Sequence, residues 1–114
     1  MRVAIPALLA ASLICGPAPA AEPDGQRVVL TLKDHRFTPE TVTVPAGQRI
    51  TIEVVNEDSA LEEFDSEDLR VEKDITPHGR ASFTVGPLKA GTYSFMGELH
   101  ADTASGELRA VETR

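Results

Sequence analysis

The sequence predicts an all-β fold, a Greek-key sandwich or barrel of about seven to eight strands. Apolar and polar residues alternate with a period of two in several short segments, as expected for half-buried strands. Clusters of Pro, Gly, Asn and Asp separate these segments at intervals of roughly ten residues, which is typical of the turns in such folds. The sequence contains no sustained helical stripe with capping residues.

Six segments carry the alternation, which is clearest in LTL, TVTV and ITIEV, and they are rich in Val, Ile, Thr, Phe and Tyr. In chain order, the predicted strands are 29–33, 41–44, 49–55, 80–85, 92–95 and 107–111. The predicted turns are 38–40, 45–47, 56–58, 77–79 and 90–91. The segment 59–69 has room for one helical turn, but it is too acidic and irregular for a core helix.

The same alternation predicts which side chains face the core, because successive side chains of a strand point to opposite faces. The predicted inward residues are Leu30, Leu32, Val42, Val44, Ile50, Ile52, Val54, Phe83, Val85, Tyr93, Phe95 and Leu108. This set is sufficient for one modest core. The sequence shows no internal repeat, low-complexity tract or second domain.

The amino terminus has the pattern of a secretory signal peptide. Arg2 supplies a positive start, an apolar stretch over 3–14 follows, and the small residues Ala18, Ala20 and Ala21 close it. The apolar stretch is shorter than the roughly 20 residues that cross a bilayer, so we expect no membrane insertion. Cleavage after Ala20 or Ala21 predicts an exported, periplasmic protein.

These features divide the chain into three predicted parts, a signal peptide over 1–20, a flexible polar leader over 21–26, and one domain over 27–114. Cys15, the one cysteine, lies within the predicted signal. Lipidation of that cysteine is an alternative, but Ile14 precedes it, where lipidation sites have a small residue. After ordinary cleavage no cysteine remains, which excludes disulfides and thiolate ligation in the mature protein.

The charge of the chain limits the classes of partner. Its formal net charge is −7, and without Arg2 the mature part has 10 Lys and Arg against 18 Asp and Glu, a charge of −8. An acidic surface disfavours nucleic acid and anionic membranes, whereas it is compatible with cations and basic proteins. Simple solubility is the alternative explanation. Nucleophile, H-E-x-x-H and phosphate-loop motifs are absent, so we assign no catalytic residue.

Two segments are more specific than the strand pattern, FTPETVTVPAGQRITIEVVNEDSALEEF over 37–64 and PLKAGTYSFMGELHADTASGELRAV over 87–111. The framework features that they and the intervening turn carry are F-x-P at 37–39, V-x-A-G at 44–47, Asn56 at a strand end, P-x-G at 77–79 and G-x-Y at 91–93. In this order and spacing the chain resembles the cupredoxin family, most closely its EfeO-type branch from bacterial iron- and copper-handling systems. The resemblance implies a cupredoxin-like sandwich over nearly all of the mature chain.

The resemblance also shows where the chain departs from a blue-copper protein. Such proteins place one histidine shortly before a strand phenylalanine, and a cysteine, a histidine and a methionine around the last loop. Here Glu62 stands at the first-histidine position, Gly97 at the cysteine position and His100 at the second-histidine position. Because nothing supplies a thiolate, a blue-copper electron carrier of the usual kind is excluded.

The resemblance implies that the remaining polar residues at the end of the sandwich where blue-copper proteins hold their metal form a different metal site. The predicted ligands are Glu62, Met96, Glu98, His100 and His35. Carboxylates, imidazoles and a thioether suit copper, iron or zinc better than calcium, which takes six or more oxygens. EfeO-type domains are similar in having a glutamate near the Glu62 position together with cysteines, and this chain has Phe37 and Gly97 at those cysteine positions. We therefore expect copper or iron.

Each predicted ligand has a structural alternative. The two histidines are alternatively exposed surface residues, and Glu62 is alternatively part of a solvated acidic loop. Met96 is alternatively a filler of the core. Glu98 is alternatively an ion-pair partner of Lys73 or Arg70. His78, in a P-x-G turn, is expected to be exposed.

These observations lead to two function hypotheses from different classes. The first is a periplasmic metal-binding accessory of ferrous iron uptake, with a membrane iron permease or another periplasmic protein as partner and a contribution to Fe(II) oxidation left open. The second is a metal-free interaction module that keeps the sandwich. An independent ferroxidase ranks last, because three histidines cannot build a trinuclear copper cluster.

Overall fold

Nine β-strands and one turn of 3-10 helix make up the regular structure of residues 26–113, which together with residue 4 are described by the computed structural model. The strands are β1 Gln26–Lys33, β2 Arg36–Thr38, β3 Thr41–Pro45, β4 Ile50–Asn56, β5 Glu62–Ser66, β6 Val71–Ile75, β7 Arg80–Val85, β8 Gly91–Gly97 and β9 Ser105–Val111, and the 3-10 helix is Glu98–His100. No helix among these residues has the length and apolar character needed to cross a membrane.

The strands form two sheets. One has the order β2-β1-β4-β7 and the other has the order β3-β9-β8-β5-β6. β1 runs parallel to β4, with Val28 opposite Ile52, and β3 runs parallel to β9, whereas the other neighbours are antiparallel. The predicted all-β sandwich is confirmed, although it has nine strands rather than seven or eight.

The three strands that the sequence did not predict are β2, β5 and β6. The helical turn considered for 59–69 is wrong at its centre, because β5 is a strand that buries Glu62, Phe64 and Ser66 in alternation. Two of these three inward residues are polar, so the apolar signal with a period of two is missing. The start of β1 also differs from the prediction, since Gln26 is the first residue of that strand and not the last residue of a leader. The predicted signal peptide and residues 21–25 lie outside the described residues, apart from residue 4.

The core lies between the two sheets. All of the residues predicted to face inward are buried there or packed against it. Its centre is an aromatic cluster in which Phe64 contacts Phe37, Phe83 and Phe95, at ring-centroid distances of 6.0, 4.8 and 5.1 Å. Aromatic pairs at such distances contribute about 0.5–1.5 kcal/mol each beyond the area they bury.

The aromatic cluster determines which residues meet at one end of the sandwich. Phe37 follows His35 by two residues, Phe64 follows Glu62 by two residues, and Phe95 precedes Gly97 by two residues. Because these phenylalanines are fixed together in the core, the residues two positions away are brought to the same end of the sandwich. This end is called the pole below.

Candidate metal centre

Glu62 is a buried carboxylate at the centre of the pole. It is the first residue of β5 and is 1% exposed. Its Oε2 lies 2.6 Å from Nδ1 of His100, and its Oε1 accepts hydrogen bonds from the backbone N–H groups of Leu99 at 2.9 Å and Glu63 at 3.1 Å. Burial of a carboxylate is costly unless hydrogen bonds replace its water, and here both oxygens have partners.

His100 is held at the end of the 3-10 helix. Its carbonyl oxygen accepts hydrogen bonds from the backbone N–H groups of Thr103 at 3.1 Å and Ala104 at 2.9 Å, which closes the loop after the helix. The side chain is 25% exposed. Since a carboxylate oxygen only accepts, the Nδ1–H group of His100 donates this hydrogen bond to Glu62, which leaves Nε2 as the ring nitrogen available to a ligand.

His35 lies in the tight turn between β1 and β2. Asp34 and His35 both have a positive φ, 52° and 57°, a conformation that costs roughly 1–2 kcal/mol for a residue with a side chain. The carboxylate of Asp58 accepts hydrogen bonds from both backbone N–H groups, at 2.8 and 2.9 Å, and so offsets this cost. The hydroxyl of Thr103 donates to the carbonyl oxygen of His35 at 2.6 Å, which ties this turn to the loop of His100.

The two imidazoles are in contact. The ring centroids of His35 and His100 are 3.6 Å apart, and the ring planes are inclined by 46°. Both side chains are partly exposed, whereas Glu62 lies behind His100 in the protein interior. The pole therefore presents two imidazoles at the surface with one carboxylate behind them.

Asp58 connects the turn of His35 at the pole to the end of β4. Its own backbone N–H donates to Oδ1 of the buried Asn56 at 2.9 Å, and Nδ2 of Asn56 donates to the carbonyl oxygens of Ala60 and Ile75 at 2.9 and 3.2 Å. Partial desolvation acts to raise the pKa of Asp58. The hydrogen bonds from the backbone of the His35 turn, together with the nearby His35 and His100, outweigh it and lower that pKa.

Met96 is not brought to the pole. In β8 the side chain of Phe95 and the position of Gly97 face inward, so the intervening Met96 faces outward and is 40% exposed. It borders a shallow surface groove with Ser94 and Ser105 instead. The outward direction follows from the two-residue period of the strand.

Glu98 is also separated from the Glu62 and His100 pair. Its predicted direction required β8 to continue past Gly97, but the strand ends there and Glu98 begins the 3-10 helix. It lies with Glu63 and Glu72, and one carboxylate oxygen from each of the three is within 4.8 Å of the others. Among the residues described, no salt bridge joins Glu98 to Lys73 or Arg70, so the alternative of an ion pair is not seen either.

The clustered carboxylates affect one another. Desolvation and the negative charges of Glu98, Glu72 and Asp74 raise the pKa of Glu63. This group of like charges lies on the outer side of β5 and β6, where Glu72 and Glu98 are exposed. It therefore forms a repulsive patch next to the pole.

The donor set of the pole fits a copper or iron ion held by imidazoles. Within residues 26–113, Glu62, His35 and His100 are not among the groups that place three ligand atoms within 4.8 Å of one another. Glu62 is therefore bonded to Nδ1 of His100 and is not grouped with both imidazoles. A carboxylate in this position fixes the orientation and tautomer of a metal-ligating histidine and increases its basicity. Imidazole nitrogens suit copper, iron and zinc.

The residues that sequence reasoning missed are Asp58 and Thr103. Neither belongs to a metal-ligand motif, and both act on the backbone of His35. The signal that could have found Asp58 is the Asn56-Glu57-Asp58 turn, since Asn and Asp side chains bind nearby backbone N–H groups in turns. Thr103 has no comparable local signal because its partner is 68 residues away.

A family model described as a cupredoxin-like domain matches residues 4–110. An uncharacterized protein of Rickettsia prowazekii (strain Madrid E) is 43% identical over 79 residues, which are 69% of this chain and 63% of that protein. The match thus spans less than two thirds of that relative's length.

Solved structures share the fold at low sequence identity. Auracyanin A, a "blue" copper protein from Chloroflexus aurantiacus, has a TM-score of 0.66 at 16% identity, covering 76% of this chain and 100% of that chain. The metal binding domain of the Cu(I) exporting P-type ATPase of Streptococcus pneumoniae D39, solved with Cu(I), has a TM-score of 0.62 at 14% identity, covering 77% and 88%. These likenesses concern the fold alone.

Proposed function

We propose that this chain, which belongs to the cupredoxin-like domain family, is a metal-binding protein that holds one copper or iron ion through His35 and His100. The observation that carries the proposal is the contact between the two imidazoles, 3.6 Å apart at their centroids, with Glu62 bonded behind one of them. Two imidazoles at a partly exposed position would provide two nitrogen donors for one ion.

Each residue of the pole has a separate part in this proposal. Nε2 of His100 and a ring nitrogen of His35 are the donors, and Glu62 holds the orientation of His100. Asp58 and Thr103 hold the backbone of His35 from its N–H and carbonyl sides. When bound, a copper or iron ion supplies redox or Lewis-acid chemistry, and the chain supplies the orientation of its ligands.

The wider role included in the proposal is that of an exported, periplasmic accessory of ferrous iron uptake, with a membrane iron permease as its partner. The support for export is the signal-like pattern over 1–20. The support for iron uptake is the resemblance of 37–64 and 87–111 to EfeO-type domains. A gene for a permease beside the gene for this chain would strengthen this wider role.

The test of metal binding is calorimetric titration of the purified chain with Cu(II), and with Fe(II) under anaerobic conditions. We expect one equivalent to bind, and we expect both His100→Ala and His35→Asn to abolish stoichiometric binding. Full stoichiometric binding in His100→Ala would contradict the assignment of the site.

A matched control is available in the third histidine. His78 has a positive φ of 55°, close to the 57° of His35, and its side chain is exposed. Asparagine tolerates this backbone conformation well, so His35→Asn and His78→Asn impose the same backbone change. We expect only His35→Asn to lose the metal.

A second candidate function is favoured by a specific observation. Every buried side-chain polar atom in the described residues has a hydrogen-bond partner, and Glu62 is satisfied by protein groups without an ion. This favours a metal-free interaction module. Elemental analysis of protein purified without chelator separates the two functions, since the module contains neither copper nor iron at stoichiometric levels.

A further inference from the structure

Gly97 is the point at which β8 meets the carboxylate of Glu62. A Cβ atom at position 97 would lie 2.6 Å from Cδ and 2.8 Å from Oε2 of Glu62, and 2.8 Å from Cβ of Ala104. Carbon atoms without a bond between them are in favourable contact at about 3.5–4.0 Å. No side chain therefore fits at position 97 while Glu62 holds its carboxylate in place.

A glycine is required at position 97 because a side chain would not fit there, and not because the backbone has a conformation that only glycine adopts. Gly97 has an extended conformation, with φ of −91° and ψ of 104°, which any residue adopts. Gly97 of β8 is directly opposite Phe64 of β5, and Phe64 follows Glu62 by two residues. Position 97 therefore has no side chain on the side where the carboxylate of Glu62 turns in toward His100.

We infer that Glu62 and Gly97 form a steric pair, in which the glycine makes room for the buried carboxylate, and that the charge of this carboxylate sets the specificity of the metal site for Cu(II) over Cu(I). The glycine leaves room for the buried carboxylate, which takes the space that any side chain at position 97 would need. This inference rests on the proposed function, because it concerns the choice of ion at the same site.

The charge of Glu62 gives the direction of the preference. The Coulomb energy between a fixed negative charge and an ion is twice as large for a dication as for a monocation at the same distance. Glu62 is 1% exposed and hydrogen-bonded to His100, so water screens its charge weakly.

The steric half of the inference is tested on metal-free protein by a double-mutant cycle. Gly97→Ala should lower Tm by about 5 °C or more, given the usual relation between stability and Tm for a domain of this size. In the Glu62→Ala background the same change should cost clearly less, because two of its three close contacts are removed. Additive effects of the two changes would overturn the steric pair.

Gly106→Ala is the matched control for that cycle. Its Cβ atom would lie 2.6 Å from the carbonyl oxygen of Glu40 and 2.6 Å from the ring of Phe95, and none of its three nearest atoms belongs to Glu62. We expect it to destabilise the chain by the same mechanism and to be additive with Glu62→Ala. Coupling as strong as that of Gly97→Ala would contradict the inference.

The specificity half is tested with Glu62→Gln, which keeps the volume of the side chain and removes its charge. Cu(II) and Cu(I) affinities are measured by competition with chromogenic chelators, the latter under anaerobic conditions. We expect Cu(II) affinity to fall about 10–100-fold, as for other partners of metal-ligating histidines, and Cu(I) affinity to fall only about 3–10-fold, because the Coulomb energy of a monocation is half as large.

The outcomes separate the inference from the proposed function. If the unmodified chain binds neither copper nor iron, the proposed function is wrong and the specificity inference is wrong with it. If it binds iron but no copper, the inference alone is wrong. If the unmodified chain binds copper and Glu62→Gln loses both ions equally, the inference alone is wrong. If both Gly97→Ala proteins fail to fold, the Cu(II) to Cu(I) ratio of Glu62→Gln decides the inference.

Discussion

At the scale of single residues, the pole depends on a carboxylate whose burial no sequence pattern predicts. Glu62 lies in the acidic run EEFDSED, where solvation is the ordinary expectation. It is buried because Phe64, two residues later, is fixed in the aromatic cluster and because His100 and two backbone N–H groups replace its water. The position of Glu62 relative to Phe64 was visible in the sequence, whereas its hydrogen-bond partners were not.

Asp58 acts on the pole through the backbone of His35, and its removal is a prediction at this scale. Asp58→Asn keeps the shape but replaces one accepting oxygen by an N–H₂ group, which cannot accept from the turn. We expect a loss of about 1–2 kcal/mol in the free energy of unfolding at pH 7, from denaturation in urea.

The pH dependence of that loss identifies its cause. The pKa of Asp58 is lowered in the folded protein, so the unfolded chain takes up the proton first as the pH falls. The stabilisation is therefore complete above the usual pKa of aspartate and is lost as the pH falls through the lower folded value. The difference between the unmodified chain and Asp58→Asn should shrink over that acidic range, and a difference independent of pH would contradict this account.

At the scale of elements, the end of β8 decides which predicted ligands meet. The strand period ends at Gly97, so Met96 remains on the outer face and Glu98 starts the 3-10 helix, while the helix carries His100 back over Glu62. No sequence pattern indicates this change of period, because M-G-E-L-H is compatible with either a strand or a turn of helix. The grouping of His100 with Glu62 could be predicted only from the resemblance to a known framework.

β5 illustrates why strands next to a functional site escape prediction. Its inward residues are Glu62, Phe64 and Ser66, of which the serine donates to the carbonyl oxygen of Ser94 at 2.6 Å. Polar residues that are satisfied by specific partners remove the apolar alternation on which strand prediction depends. The strands β1, β4 and β7, far less involved in the pole, followed that alternation closely.

The carboxylates beside β5 give a prediction at the element scale. Glu63, Glu72 and Glu98 repel one another, and Glu63 has a raised pKa in the folded chain. We expect Glu98→Gln to increase Tm at pH 7, because it removes a like charge from the group without removing a buried contact.

The sign of the pH effect follows from the raised pKa. The folded state retains its proton to a higher pH than the unfolded state, so the unmodified chain loses stability as the pH rises through the folded pKa of Glu63. The advantage of Glu98→Gln should accordingly be present at neutral pH and disappear on acidification. Thermal unfolding at a series of pH values measures it, and a variant less stable than the unmodified chain at pH 7 would refute the repulsion.

At the scale of the whole molecule, the scaffold and the site have different origins. The sandwich follows from short alternating segments and turns, which made its class and its inward residues predictable from the sequence. The site is built by residues 35, 58, 62, 100 and 103, whose contacts cross 23–68 positions of sequence. Contacts of that range depend on the folded framework, and no local pattern encodes them.

The central claim is that this framework holds an ion between His35 and His100 and not among the outer carboxylates. X-ray absorption of the copper-loaded chain tests it most directly, since imidazole ligands, carboxylate ligands and sulfur ligands give different scattering. We predict two imidazole ligands for each copper, no sulfur ligand, and no stoichiometrically bound copper in His35→Asn. A spectrum with oxygen ligands alone, unchanged in His35→Asn, would contradict the claim.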